Sequence, residues 1–217
     1  AAEAGPAAAP AGGRRGDRLR RPFLLGIRWD VVLANGAGLY YYGKQNIIWR
    51  GNHMKPTRLL TACFSPTGAT GKVAGAVAEG IAYPNEGLDL SAAVEAADIG
   101  ADTLLLAAVP VYGGRVPAVA LERLSRLRGC GQSAVAVVVY GNREFEDALL
   151  ELKNALEGMN FRVAAAAAFI GEHSIVRSIA AGRPDDTDLG LARRFGMNAA
   201  GKLASHDIPP AIQVPGN

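Results

Sequence analysis

The sequence predicts an α/β domain built on a doubly wound parallel sheet, and three observations carry that prediction. Near-continuous apolar runs occupy residues 59–64, 102–109, 134–139 and 163–169. Strands buried on both faces of a parallel sheet read this way, because neither face alternates with water. Amphipathic helix patterns separate the runs, and strands alternating with helices imply right-handed crossovers packed on both faces. A hydroxyl-rich hexapeptide, Ser65-Pro66-Thr67-Gly68-Ala69-Thr70, lies between the first run and the first helix pattern.

The elements follow in order. After the strand at 59–64, Val73, Ala76, Val77, Gly80 and Ile81 recur at i, i+3, i+4, i+7 and i+8 and predict a helix with one apolar face. The run at 102–109 is taken as the third strand. Ala120, Leu121, Leu124 and Leu127 then make a helical face, the fourth strand lies at 134–139, and Phe145, Ala148, Leu149, Leu152 and Leu156 make a further face. The fifth strand falls on 163–169, whose alanine run also suits a helix. Leu189, Ala192, Gly196, Ala199 and Leu203 form the last helical stripe, with Asp186 or Thr187 as its N-cap.

In such sheets ligands sit beyond the carboxyl ends of the strands, at a switch point. Three loops fall there. Ser65, Thr67, Gly68, Ala69 and Thr70 suit a phosphate: free N–H groups at a helix start stabilise an anion, hydroxyls add donors, and Gly68 admits close backbone approach. A nucleotide P-loop is excluded, since Pro66 stands where the first glycine is needed and Val73 where a magnesium-binding hydroxyl is needed. The same residues also suit a helix cap that binds nothing. Pro110, Val111, Tyr112, Gly113 and Gly114 follow the third strand, and Tyr140, Gly141, Asn142 and Arg143 the fourth. Tyr112 and Tyr140 offer flat surfaces for stacking a ring, or serve as ordinary strand-end tyrosines. Gly113-Gly114 reads as a tight turn.

The hexapeptide resembles the phosphate loop of flavodoxins. The ordered set Pro110-Val111-Tyr112-Gly113-Gly114-Arg115-Val116-Pro117, Tyr140-Gly141-Asn142-Arg143, Gly171-Glu172-His173-Ser174 and Gly182-Arg183-Pro184-Asp185 is similar to prokaryotic proteins that fuse a flavodoxin-like module to a ferredoxin carrying two 4Fe-4S clusters. The resemblance covers residues 55–217. It implies a flavodoxin-like, three-layer, five-stranded sheet of order 2-1-3-4-5, FMN as cofactor, and one-electron transfer with a ferredoxin or other redox protein. It also implies that a peptide at Gly113-Gly114 can flip to present its carbonyl to the flavin N5–H that appears on one-electron reduction. Arg115 and Arg143 stand where flavodoxins commonly carry acidic surroundings, and His173 is expected to donate to the flavin or to stabilise its own turn. An FMN-dependent NAD(P)H or quinone reductase and a flavin-less docking module are the competing readings.

No acid, base or nucleophile constellation suggests hydrolysis or group transfer, so no catalytic side chain is assigned. Cys63 and Cys130 are the only cysteines, far apart and outside any C-x-x-C, so no metal site is expected and a ferredoxin partner must supply its own clusters. Two reduced thiols and the absence of a membrane-length apolar run suit a cytoplasmic protein. The net charge is +3, but residues 1–53 hold eight Lys/Arg against three Asp/Glu, so the remainder is acidic and no nucleic-acid partner is expected. Residues 1–53 read as a non-domain leader, either upstream sequence preceding a true start at Met54 or a disordered arm. Residues 54–217 form the flavodoxin-like FMN-binding domain.

Overall fold

The computed structural model describes residues 31–35, 38–42, 55–205 and 211–216. In chain order the elements are β1 (Val31–Asn35), β2 (Gly38–Tyr42), β3 (Arg58–Cys63), α1 (Ala69–Ile81), β4 (Asn85–Asp89), β5 (Ala97–Asp98), β6 (Thr103–Pro110), α2 (Ala118–Leu124), β7 (Leu127–Arg128), β8 (Ser133–Tyr140), α3 (Ala148–Gly158), β9 (Arg162–Ile170) and α4 (Asp186–Ala204). Five parallel strands lie in the order β4-β3-β6-β8-β9, which is the 2-1-3-4-5 arrangement of a flavodoxin-like sheet. Residues 31–42, within the segment read as leader, add two strands: β1 pairs in parallel with β9, and β2 pairs antiparallel with β1.

Both faces of the sheet are buried, and the pleat sorts its side chains. Leu104, Leu106 and Ala108 of β6 and Val135, Val137 and Val139 of β8 meet α1 and α4, while Leu105, Ala107, Val109, Ala134, Ala136 and Val138 meet α2 and α3. The result is the three-layer sandwich expected. The alanines of β9 are buried on both faces, so small side chains here serve layer packing instead of helix formation.

Helices α1 and α4 cross with their backbones in contact. A Cβ on Gly80 would lie 2.0 Å from the Arg193 carbonyl oxygen, and one on Gly196 would lie 2.2 Å from that of Val77. Glycine is required at both places because backbone, not a yielding side chain, occupies the space.

Three local expectations are corrected. Leu127 does not extend the helical face of α2; Ser125 ends the helix and Leu127 is buried in β7. Phe145 precedes α3 and packs its ring edgewise on Tyr140, centroids 5.6 Å apart. The N-cap of α4 is Asp185, whose carboxylate accepts the Asp188 N–H at 3.0 Å while the Asp188 carboxylate accepts the Asp185 N–H at 3.0 Å.

Candidate functional site

At the carboxyl end of β3 the chain turns through Ser65 to Gly68, where Gly68 (φ 87) stands as N-cap of α1 in the left-handed region. The Ser65 Oγ accepts the Gly71 N–H at 2.8 Å, so this hydroxyl is turned into the helix start. Among the described residues the N–H groups of Ala69 and Thr70 have no protein acceptor. Thr70 is only 3% exposed overall and lines the adjoining cleft; among the described residues its hydroxyl makes no protein hydrogen bond and is not sealed from solvent. Two free amides and an accessible hydroxyl at the positive end of a thirteen-residue helix suit an anion.

The cleft, about 170 Å³, is formed where four loops meet. Thr67, Ala69 and Thr70 come from the loop after β3, Pro110, Val111, Tyr112, Gly113 and Gly114 from the end of β6, and Tyr140, Gly141 and Arg143 from the end of β8. Ser65, Gly68 and Asn142 do not line it. Ser65 and Gly68 shape the helix start from behind, and Asn142 is an exposed residue at φ 62 that turns its loop.

Tyr112 and Arg115 close a two-residue turn by exchanging backbone hydrogen bonds of 2.9 and 3.2 Å. Both central residues, Gly113 (φ 57) and Gly114 (φ 78), have positive φ, the pattern of a type I′ turn. The Glu146 carboxylate fills the space that a Gly114 Cβ would need, at 2.0 Å. Arg115 points away from the cleft, bound to Glu151 at 2.7 and 3.1 Å, so it does not address a ring in the cleft. Arg143 does line the cleft and pairs with Glu146 at 3.3 Å. Tyr112 is 41% exposed, an open wall, whereas Tyr140 is half-buried and its phenol pKa is raised by that burial, partly offset by the Arg183 charge. Burial, with Asp89 nearby, also pushes the Cys63 thiol up to about 11, which leaves it an unreactive apolar residue at the end of β3.

The fourth loop follows β9 and carries the Gly171-Glu172-His173-Ser174 motif, of which sequence reasoning assigned a role to His173 alone. Glu172, His173 and Ser174 line the cleft, together with Glu144 and Glu146 from the β8 loop. The His173 Nδ1 accepts the N–H groups of Ile175 and Val176 at 3.2 and 3.0 Å, which places the proton of the neutral ring on Nε2 and makes His173 an acceptor that holds its own turn. A Cβ on Gly141 would lie 2.8 Å from the His173 ring, so that glycine lets the two loops close on each other. A second, polar chamber of about 210 Å³ adjoins the first through Thr67, Ala69, Glu172 and Ser174 and adds Lys72, Arg177, Gly182 and Arg183.

Fold and cleft together define a flavodoxin-like domain. No protein-family model matches the chain, and no curated protein matches it. Among solved structures it is similar to a flavone reductase (10% identical, TM-score 0.50, covering 73% of this chain and 66% of that one). It is likewise similar to a flavodoxin from Streptococcus pneumonia TIGR4 (16%, TM-score 0.49, 67% and 99%) and to a flavodoxin from the domain Archaea (14%, TM-score 0.45, 68% and 99%). At these identities the likeness is one of fold. Among the described residues no helix is long and apolar enough to cross a membrane.

Proposed function

We propose that residues 54–217 form an FMN-binding domain that transfers electrons singly between an iron-sulfur ferredoxin and another redox partner. The observation that supports this most is the start of α1. Its free Ala69 and Thr70 amides and accessible Thr70 hydroxyl adjoin a cleft walled by Tyr112 and Tyr140. The residues fit the group: amides and hydroxyl suit a phosphomonoester, and two phenol walls suit a flat ring.

When bound, FMN supplies the redox chemistry. The chain's own residues bind and orient it. Ala69 and Thr70 would hold the phosphate through their amides, and half-buried Tyr140 and open Tyr112 would wall the ring in the cleft that the Gly113-Gly114 turn also lines. Tyr112 leaves that side of the cleft open to a partner protein, as transfer between two proteins requires.

The test is flavin binding by purified protein freed of ligand. FMN should bind one to one and more tightly than riboflavin, which lacks the phosphate. Equal affinities would sink the reading, and rapid aerobic NAD(P)H oxidation by the loaded protein would replace it with the reductase alternative.

A further inference from the structure

Two carboxylates that follow β8 reach the turn between Tyr112 and Arg115, and they act on different parts of it. Glu151 holds the far end, through the Arg115 guanidinium and the Val116 N–H. The peptide between Gly113 and Gly114 lies outside that grip. At Gly113 nothing comes within 4 Å of a Cβ position, whereas at Gly114 the three nearest atoms all belong to Glu146, its Cδ at 2.6 Å and its Cβ at 2.9 Å from that position. Glu146 is thus the side chain packed on the tip of the turn.

Its placement there is strained. The Glu146 backbone has φ 46, in the left-handed region that residues with a Cβ enter only under constraint. Phe145 supplies the constraint: its ring packs on Tyr140, and its carbonyl accepts the Ala148 N–H at 3.0 Å. Asn142, at φ 62, turns the chain earlier in the same loop. Arg143 meets the Glu146 carboxylate at 3.3 Å, but its side chain is 86% exposed, so this pair is too weak to hold the loop. Strain that the surrounding packing enforces beside a binding cleft points to a role for the strained residue.

Turn geometry says what that role is. With φ positive at both Gly113 and Gly114 the turn is of type I′, and rotating the peptide between them gives type II′, in which Gly113 keeps its positive φ and Gly114 changes sign. The rotation exchanges the sides to which the Gly113 C=O and the Gly114 N–H point. A carboxylate lying on Gly114 does not meet the two orientations equally, because N–H and C=O dipoles interact with its charge in opposite senses. Gly114 also has to swing against the Glu146 side chain.

We infer that Glu146 is a positioning residue for this turn: seated on Gly114, it holds the type I′ orientation and sets how readily the Gly113-Gly114 peptide turns over. Glycine makes both orientations accessible, and Glu146 selects between them. The use of that selection, to tune a ring bound in the cleft, rests on the flavin reading. The selection itself does not.

NMR on ligand-free, isotope-labelled protein tests it. The Gly113 carbonyl and Gly114 amide signals report the orientation, and relaxation dispersion reports exchange on the μs–ms timescale. Glu146→Gln keeps the shape and removes the charge, Glu146→Ala removes both, and Glu144→Gln removes a charge from the same loop without altering the contact on Gly114. The second orientation should gain at least about threefold in population in Glu146→Ala and move the same way in Glu146→Gln, a size ordinary for one exposed charge beside a backbone dipole. Glu144→Gln should behave as the parent does. Signals at Gly113 and Gly114 that are the same in the parent and both Glu146 variants would overturn the inference, as would a Glu144→Gln effect as large as that of Glu146→Gln. FMN titrated into the same samples tests the flavin reading separately: if it does not bind, that reading fails and the ligand-free spectra still decide the role of Glu146. If it binds, a threefold change corresponds to about 30 mV in the spacing of the two one-electron potentials, and an unmoved spacing in Glu146→Ala overturns the tuning use.

Discussion

The Glu151 carboxylate, in the first turn of α3, binds the Arg115 guanidinium at 2.7 and 3.1 Å and the Val116 N–H at 2.8 Å. One side chain thus ties a helix of the outer layer to the strand-end turn that forms a wall of the cleft. Glu151→Ala should destabilise the fold by about 1–2 kcal/mol, the ordinary cost of leaving an amide like that of Val116 without its charged acceptor. Chemical denaturation of parent and variant measures it.

The same carboxylate gives a pH dependence with a definite sign. The hydrogen bond from Arg115 holds the Glu151 carboxyl below its ordinary 4.5, with the Val116 N–H acting the same way and partial burial opposing both. A depressed folded-state value means that its contribution is present above the unfolded value and is lost as pH falls through the folded one. Parent stability should therefore drop in the acid range below about pH 4.5, and the acid-side slope of Glu151→Gln should be shallower. Identical slopes would show that the contact is not populated.

The crossing of α1 and α4 predicts a contrast among glycines of similar appearance in the sequence. Gly80→Ala and Gly196→Ala each drive a methyl into a backbone carbonyl and should cost about 2–3 kcal/mol. Gly75 lies in α1 with nothing within 4 Å of its Cβ position, and Gly75→Ala should stabilise by about 0.5–1 kcal/mol. Thermal unfolding of the three variants decides the matter, and equal effects would remove the close crossing.

All five strands of the parallel sheet and the four helices that cover it lie after Met54, so a chain starting there should still fold with its midpoint little changed. Its β9 would then present an edge, because Ala166, Ala167 and Ala168 pair with β1 in the full chain. An apolar edge of that kind promotes self-association. Gel filtration at rising concentration should show the shortened chain dimerising where the full chain does not, and a fall in midpoint of more than several degrees would show that residues 31–42 belong to the core.

The strands β3, β6, β8 and β9 were legible because central strands buried on both faces leave apolar runs. Strand β4, Asn85-Glu86-Gly87-Leu88-Asp89, was not: it lies at the sheet edge with four of its five residues exposed, so burial imposes no pattern on it. In residues 31–42 the Asn35-Gly36 dipeptide between apolar runs is a hairpin signal of local turn chemistry, invisible to a search for core periodicity. Three of the four loops of the cleft could be found because glycine, proline and hydroxyl residues mark strand ends. The carboxylates of Glu144, Glu146 and Glu172 and the charge of Lys72 carry no such mark. Their meaning comes from neighbours far off in sequence, as where Glu146 rests on Gly114.

That last contact separates the two glycines of the turn. At Gly113 (φ 57) a methyl meets nothing within 4 Å, so Gly113→Ala should cost only the left-handed backbone penalty, about 1–2 kcal/mol. At Gly114 (φ 78) the methyl also displaces the Glu146 carboxylate, and Gly114→Ala should cost more. The excess should disappear in Gly114→Ala/Glu146→Ala, where the double-mutant cycle isolates the clash. Under the flavin reading, Gly113→Ala leaves FMN affinity little changed but shifts the spacing of the two one-electron potentials. A strain of about 1–2 kcal/mol acting on one of the turn's two orientations corresponds to about 40–90 mV for a single electron. Potentiometry on loaded protein reads it directly. Unmoved potentials in both glycine variants would reduce the turn to a hairpin closure held by Tyr112 and Arg115, with no part in tuning the cofactor.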